Sequence, residues 1–427
     1  MISLILFGLL AVLLVLSVPI AISLGIASTV ALLASGKVSG SYVPQGLVTS
    51  IDSFPLMAVP FFILAGDLMG QGGLSKRLVD VGRMFFGRYT GGLAIIAVVT
   101  CMFFAAISGS GPATVAAVGT ILLPAMVKDG YNPGKSAGLV ASAGSLGVII
   151  PPSIPMVIYA TSANVSVSKM FMAGVIPGLL IGAALITYAW FQARRDGMKP
   201  SAEQLTGKQK LAILNEAKWA LLVPVIILGG IYGGIFTPTE AAAVGVLYGF
   251  VVGAFIYREI SPASLYRILA GSALTSATIM LIVGTATIFG RVLAIEGVPV
   301  MLADAITSTI HQAWLLLLAI NIVLLIVGTF METIAAIIIL TPILLPLAVA
   351  LGINAEHFGI VMIVNLAIGM VTPPVGVNLF VASRISGHPL ETVVKGAFGP
   401  LGVMLMILLL ITYIPSLSLG LPALFGM

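Results

Sequence analysis

The sequence predicts an all-α polytopic membrane protein, and three observations lead to this prediction. Of the 427 residues, 59% are hydrophobic and only 8% are charged, and the mean hydropathy is +1.20. A water-soluble protein of this size needs far more polar surface than that. Several apolar stretches, such as 2–18, 219–235 and 313–330, are long enough to cross about 30 Å of hydrocarbon as helices. The alternating ten-residue pattern of an outer-membrane barrel is absent from the sequence.

The chain begins with the apolar stretch 2–18, which has neither a basic segment before it nor a small-residue cleavage site. We therefore expect a retained first span rather than a signal peptide. The longest polar stretch, 192–218, carries six Lys and Arg residues and divides the chain nearly in half. The positive-inside rule predicts that it is a cytoplasmic basic linker between a first repeat, 1–191, and a second repeat, 219–427.

The two halves are related by an internal duplication. GVIIPPS (147–153) aligns with GMVTPPV (369–375), and LLPAMVKDG (122–130) aligns with LLPLAVALG (344–352), each at an offset of 222 residues. Shorter matches add Gly66/Gly290, Gly73/Gly297, Leu78/Leu302 and Asp80/Asp304 at an offset of 224. Matches that recur in the same order with small gaps indicate a repeat rather than shared membrane composition.

Each repeat contains a helix-breaking Pro-Pro pair inside an apolar run, as in NLAIGMVTPPVGVNLF (365–380). Proline lacks the backbone donor and clashes with the preceding turn, so a helix breaks there. A turn rich in Gly, Ser or Thr precedes each break, at 106–119 and 327–339. Irregular backbone at membrane depth is tolerated only where it is buried in protein or lines a wet cavity. Two such breaks in corresponding places are typical of transporters that bind ions and substrate near the midplane.

The groups at these breaks suit sodium, because unwound carbonyls and hydroxyls are ligands for a small hard cation. Such ligands in the first half are Ser108, Ser110, Ser145 and the backbone at Gly147 and Pro151. In the second half they are Gly328, Thr329, Thr333, Gly369 and Thr372. The helix N-termini after Gly111 and near Glu332 suit a substrate carboxylate. The alternative for any single hydroxyl is a bond back to its own helix.

SGSGPATVAAVG (108–119), PPS (151–153), FTPTEAAAVGVLYG (236–249) and GMVTPPVGVNLF (369–380) resemble the large membrane subunit of tripartite ATP-independent periplasmic (TRAP) transporters, the DctM-like family. The resemblance covers essentially the whole chain. It implies two inverted repeats in an elevator-type fold, with a scaffold and a transport domain. It also implies re-entrant hairpins around 91–128 and 313–351, and broken helices around 134–164 and 356–384.

The resemblance further implies sodium-coupled uptake of an organic acid, such as a C4-dicarboxylate, sialic acid or another sugar acid, across the bacterial inner membrane. The implied partners are a small four-helix membrane subunit and a periplasmic substrate-binding protein, and Na⁺ is the coupling ion, with no organic cofactor and no transition metal. The hairpin tips and unwound segments predict substrate contacts at Ser110, Thr114, Ser153, Glu332 and Asn378. A stand-alone sodium–anion symporter, which needs no binding protein, is the alternative.

Intramembrane charges add hypotheses. Asp67 and Arg291 occupy nearly corresponding positions and could pair, or each could lie at a helix end near the headgroups. Glu240 is expected to cap a helix, and Glu332 could shape cation selectivity or take a proton.

The sequence argues against an enzyme. The three histidines, His311, His357 and His388, are expected in or beside loops, so a buried serine at 109–111 would have no base. No HExxH or Walker motif is present, and the single Cys101 can form no internal disulfide.

Overall fold

The computed structural model describes residues 2–37, 41–200, 206–299, 301 and 312–426, and its regular structure is entirely helical within these ranges. The helices are α1 (Ile2–Val15), α2 (Ile20–Ser35), α3 (Tyr42–Ile51), α4 (Ala58–Gln71), α5 (Leu74–Phe86), α6 (Gly92–Ser108), α7 (Gly111–Lys128), α8 (Pro133–Gly144), α9 (Leu146–Ile149), α10 (Ile154–Ala163), α11 (Val167–Arg195), α12 (Gly207–Tyr232), α13 (Pro238–Val251), α14 (Pro262–Ile295), α15 (Ala313–Phe330), α16 (Thr333–Ala350), α17 (Ala355–Gly369), α18 (Val377–Ser386), α19 (Leu390–Tyr413) and α20 (Ser416–Leu424).

The described helices confirm a polytopic membrane protein. Eight are long and apolar enough to cross a membrane, or up to ten if each of two bent helix pairs counts as one span. One of those pairs is α8 to α10, bent by 42° between 149 and 154, where the first Pro-Pro pair lies. The all-helical fold with broken helices therefore agrees with the sequence prediction.

The helices pack in two groups. The first contains α1 to α4 and α12 to α14; in it, α4 lies against α13 and α14 crosses α2, α3 and α4. The second contains α6 to α11 and α15 to α20; in it, α8 packs against α19 and α15 against α17. The two groups meet where α4 contacts α6 and where α14 contacts α16. The amphipathic helix α5 contacts both α6 and α12.

Corresponding helices of the two halves keep the offset seen in the sequence. Helices α7 and α16 begin at Gly111 and Thr333, and α8 and α17 begin at Pro133 and Ala355, in both cases 222 residues apart. Each half contains a helical hairpin, α6–α7 or α15–α16, followed by a broken helix, α8–α10 or α17–α18. We call α6–α7 hairpin 1 and α15–α16 hairpin 2. We call α8–α10 the first broken helix and α17–α18 the second broken helix. The Pro151–Pro152 and Pro373–Pro374 peptide bonds are both cis.

The hairpin tips are two-residue turns with different chemistry. In hairpin 1, Gly109 ends α6 with φ +59°, a left-handed conformation that favours glycine, and Ser110 is extended before α7. In hairpin 2, Met331 and Glu332 are both extended between α15 and α16. Each tip therefore reverses the chain without a long loop.

The predicted linker 192–218 is helical at both ends, because α11 continues to Arg195 and α12 starts at Gly207. A capping box explains the latter start: Thr206 accepts from the backbone of Gln209 while the Gln209 side chain accepts from the Thr206 backbone. The aligned Leu302 and Asp304, and His311, lie outside the described residues.

Candidate functional site

A cavity of about 580 Å³ lies where the two groups of helices meet, and both hairpin tips line it. Hairpin 1 contributes 108–113 and hairpin 2 contributes 328–334. The opposite wall comes from α4, with Gly66 and Asp67, and from α14, with Thr275 and Thr278. The volume is in the range of sites that enclose a small organic molecule.

Four helices begin at this cavity, since the first residues of α7, α10, α16 and α18 all line it. The first N–H groups of a helix have no intrahelical partner and carry partial positive charge, so such ends attract anions. None of the described lining residues is Lys, Arg or His. Any attraction for an anion must therefore come from helix ends or from bound cations.

The four helix ends are not equally free. Glu332 caps α16, because its Oε2 accepts from the backbone N–H of Ile334 at 2.9 Å and of Ala335 at 3.1 Å. The Glu332 side chain is nevertheless open to the cavity. The chain's own carboxylate thus occupies the place where the sequence predicted one from the substrate. Helices α7 and α18 have no side-chain cap. In α18 the Asn378 N–H donates to the Met370 carbonyl at 3.0 Å, so the N-terminus of α7 is the more available of the two.

Two of the oxygen ligands predicted for the first half, Ser108 and Ser110, are brought together at hairpin 1 with the predicted substrate contact Thr114. Ser108 Oγ lies 3.0 Å from Thr114 Oγ1, which donates to the Ser110 carbonyl at 2.8 Å. The Ser110 carbonyl and Thr114 Oγ1 both face Gly147, at 2.4 and 2.5 Å from where a Cβ would stand. A side chain at Gly147 would therefore fill the space between the tip and the first broken helix. Pro151 is buried in the break itself.

Two predicted substrate residues lie behind the cavity lining. Ser153 is fully buried; its Oγ donates to the Val148 carbonyl at 2.6 Å and accepts from the Met156 N–H, which caps α10. Asn378 is also fully buried and donates to Ser145 Oγ at 3.1 Å and to the Ala141 carbonyl at 3.2 Å. Of the five residues predicted to contact substrate, only Ser110 and Glu332 line the cavity, and Thr114 also lies behind it.

In the second half, the backbone of the tip and that of the broken helix touch. A Cβ on Gly369 would lie 2.5 Å from the Gly328 carbonyl carbon, so position 369 requires glycine, whereas a Cβ on Gly328 would lie 3.2 Å from the Gly369 Cα. Thr329 and Thr372 donate to carbonyls of their own helices, Ile326 and Ile368, at 2.7 and 2.8 Å. Thr333 Oγ1, in contrast, is buried and has no hydrogen-bond partner.

The two intramembrane charged residues, Asp67 and Arg291, contact different helices. Asp67 Oδ2 accepts from Ser272 Oγ of α14 at 2.5 Å, whereas Arg291 Nη1 lies beside Gly46 of α3. Asp67 and Arg291 therefore do not form a salt bridge, and Asp67 is the one at the cavity. Glu240 caps α13 in a capping box with Thr237, which confirms its predicted role.

The structure adds two findings that the sequence did not predict. His357 lies beside a loop, as expected, in the first turn of α17, but it is buried there, with Nδ1 2.7 Å from Ser418 Oγ and Nε2 3.2 Å from the Thr412 carbonyl. The α14 wall with Thr275 and Thr278 was not predicted, because 262–289 carries no break and no repeat match in the sequence. Only the helix packing shows that it faces the hairpin tips.

Comparisons with known proteins indicate a membrane transporter. The chain matches the family described as "Tripartite ATP-independent periplasmic transporter, DctM component" over residues 7–417. It is 51% identical over 97% of its length to an isethionate TRAP transporter permease protein, DctMQ, of Oleidesulfovibrio alaskensis, and spans 65% of that protein. It is 45% identical to a C4-dicarboxylate TRAP transporter large permease protein, DctM, of Pseudomonas aeruginosa, with 95% of each chain covered.

A solved structure has the same fold. The Alcanivorax borkumensis YdaH transporter superposes with a TM-score of 0.61 at 16% identity, covering 87% of this chain and 88% of the other.

The chain belongs to the DctM component family of TRAP transporters. It is accordingly a multi-pass permease component of the bacterial inner membrane and not an enzyme. The family name places it in a transporter of three components, one of them periplasmic.

Proposed function

We propose that this chain carries a small organic anion inward together with sodium ions, after a periplasmic binding protein delivers the anion. The observation that supports the proposal most is the charge of the cavity. It is lined by two carboxylates, Asp67 and Glu332, and by no basic side chain among the described residues. An anion entering such a site needs accompanying cations, because like charges in a low-dielectric site repel strongly.

Sodium fits the groups that surround this cavity. The oxygens at hairpin 1 are neutral hydroxyls and carbonyls, those of Ser108, Ser110 and Thr114. The buried Thr333 hydroxyl at hairpin 2 has a free oxygen. Hard oxygen ligands of this kind suit a small alkali cation rather than a transition metal. Inside the cavity the uncapped start of α7, with its free N–H groups, is the best position for the carboxylate or sulfonate of the substrate.

The energy for uptake would come from the sodium gradient. One cation crossing 100 mV releases about 2.3 kcal/mol before any concentration gradient is added. The position of the cavity between two helix groups suits an elevator motion, in which the group with both hairpins slides past α4 and α14. A small membrane subunit, expected to have four helices, would complete the assembly. C4-dicarboxylates, isethionate, sialic acid and other sugar acids are the candidate substrates.

The test is uptake of labelled organic acids into proteoliposomes that contain this chain and its small partner. Uptake is measured with and without an inward sodium gradient, and with and without the periplasmic protein. We expect uptake only when both are present. Uptake at the same rate with and without the sodium gradient would contradict sodium coupling. Sodium-driven uptake without the periplasmic protein would identify a stand-alone symporter.

Two variants test the site assignment in the same assay. Ser110→Ala and Thr372→Ala should each raise the sodium concentration for half-maximal uptake severalfold, because the first removes the hydroxyl at the tip of hairpin 1 and the second removes the hydroxyl beside the second Pro-Pro break. The control is Thr120→Ala, since the Thr120 hydroxyl is exposed on α7 and does not line the cavity. Unchanged sodium dependence in both variants would contradict the assignment.

A further inference from the structure

Asn378 belongs to one repeat and contacts the other. It lies in the first turn of α18, within the second broken helix, but its amide crosses to the first repeat. There its Nδ2 donates to the Ala141 carbonyl and to Ser145 Oγ of the first broken helix. Its amide also lies beside Gly111, the first residue of α7, with Oδ1 3.2 Å from where a Cβ would stand. The side chain is thus wedged between hairpin 1 and the first broken helix.

The amide oxygen has no partner there. Asn378 is fully buried, and its Oδ1 is one of the few enclosed side-chain oxygens with no hydrogen bond. A buried acceptor without a partner is costly in any protein interior and more so within a membrane. Both amide hydrogens have acceptors, which fixes the amide orientation and leaves the oxygen as the free atom. A free oxygen in this position is a ready cation ligand.

The surroundings provide further ligands of the same type. Ser145 Oγ accepts from the Asn378 amide, and the Ser110 carbonyl and Thr114 hydroxyl face the same broken helix at Gly147. All of these groups are neutral oxygens. Gly111 and Gly147 keep the tip and the broken helix close, because a Cβ at either position would meet these atoms.

The second hairpin has no residue that corresponds to Asn378 in its chemistry. At the offset of 222 residues, Asn378 corresponds to Met156, which is fully buried and has no oxygen in its side chain. Ser110 corresponds to Glu332 at the same offset. One tip therefore combines hydroxyls with an amide from the other repeat, whereas the other tip has a carboxylate of its own.

We infer that Asn378 supplies its side-chain oxygen to the cation held at hairpin 1, so that this cation joins the two repeats and its site is chemically unlike the one at hairpin 2. The inference rests on the sodium coupling proposed above. It makes the first site complete only while the second broken helix is docked against hairpin 1.

The experiment uses the membrane complex with Asn378→Ala and Asn378→Asp, and Ser383→Ala on the same helix as the control. Two quantities are measured: the sodium dependence of uptake, and the sodium-induced rise in the melting temperature of the purified complex without substrate. We expect Asn378→Ala to raise the half-saturating sodium concentration about tenfold, as for the loss of one bond to a charged group. The sodium-induced stabilisation should shrink, and Asn378→Asp, which keeps the oxygen, should restore part of both.

The outcomes separate this inference from the proposed function. If Asn378→Ala lowers the maximal rate but leaves the half-saturating sodium and the melting shift unchanged, the residue only packs and the inference is wrong. If Asn378→Ala does not fold, Asn378→Asp decides the question: a changed half-saturating sodium concentration or a changed lithium-to-sodium preference supports the inference, and wild-type values of both overturn it. A wild-type protein that responds to sodium in neither measurement overturns both proposals.

Discussion

Glu332 shows how one residue sets the electrostatics of the cavity. Its carboxylate accepts two backbone hydrogen bonds at the start of α16 and remains open to the cavity. A carboxylate at this end of a helix is stabilised by the helix dipole and by the otherwise unpaired N–H groups. Glu332 therefore stabilises hairpin 2 while reducing the attraction of that helix end for a substrate anion.

We expect Glu332→Ala to lower the free energy of unfolding by about 1 kcal/mol, since an N-cap is lost. Glu332→Gln should lower the free energy of unfolding by less, because the amide oxygen still accepts from the Ile334 and Ala335 N–H groups. Thermal unfolding of the purified complex measures both. Glu356→Ala is the matched control, as Glu356 lies in the first turn of α17, where Asn354 makes the capping bonds. Equal melting temperatures for Glu332→Ala and the control would contradict the capping role.

At the scale of elements, hairpin 2 and the second broken helix are fitted together through glycines. A Cβ on Gly369 would stand 2.5 to 2.6 Å from three backbone atoms of Gly328, closer than any relaxation of a side chain could relieve. The tip and the break therefore pack backbone against backbone at this point.

Gly369→Ala should push hairpin 2 from the broken helix and abolish uptake, with a loss of stability of about 1–3 kcal/mol from overpacking. Gly402→Ala is the control, because Gly402 lies in α19 with open space around it. That control should keep uptake and gain stability, since alanine favours helix by about 1 kcal/mol over glycine. Normal uptake by Gly369→Ala would show that the contact is not needed for transport.

The helix ends near the breaks could be predicted from the sequence, because they depend on residues at those positions. Pro-Pro pairs stop helices, and Gly109 permits the sharp turn that ends α6, so hairpins and breaks occur close to the positions the motifs indicated. The contacts of Asn378 could not be predicted from the sequence. A repeat alignment shows which half a residue belongs to, but it does not show which half its side chain contacts. The α14 wall was missed for a similar reason: its threonines bond to their own helix and leave no motif.

At the scale of the molecule, the two halves exchange helices. Helix α18 of the second half packs against α7 and α8 of the first, and α10 of the first half packs against α16 and α17 of the second. Each hairpin is thus covered by a broken-helix segment from the other half. The shared cavity is therefore lined by both halves, and the two proposed cation sites would also need both.

A cut of the chain between α11 and α12 should therefore be tolerated only when both pieces are made together. We expect co-expressed halves to restore uptake and each half alone to be degraded in the membrane, because α7 or α16 would lack its cover. A cut between α9 and α10, inside the first broken helix, is the control and should abolish uptake. Stable accumulation of one half by itself, measured by pulse-chase, would contradict this expectation.

The exchange of α10 and α18 also bears on how such a chain arose. A single half would leave its hairpin uncovered, so two identical half-length chains could form this arrangement only by exchanging the same segments. Within one chain, the two halves no longer need to have the same sequence. One copy can then carry an amide where the other carries a thioether, and one tip alone can carry a carboxylate. The present difference between Asn378 and Met156 is the kind of divergence that no symmetric pair of chains could have carried.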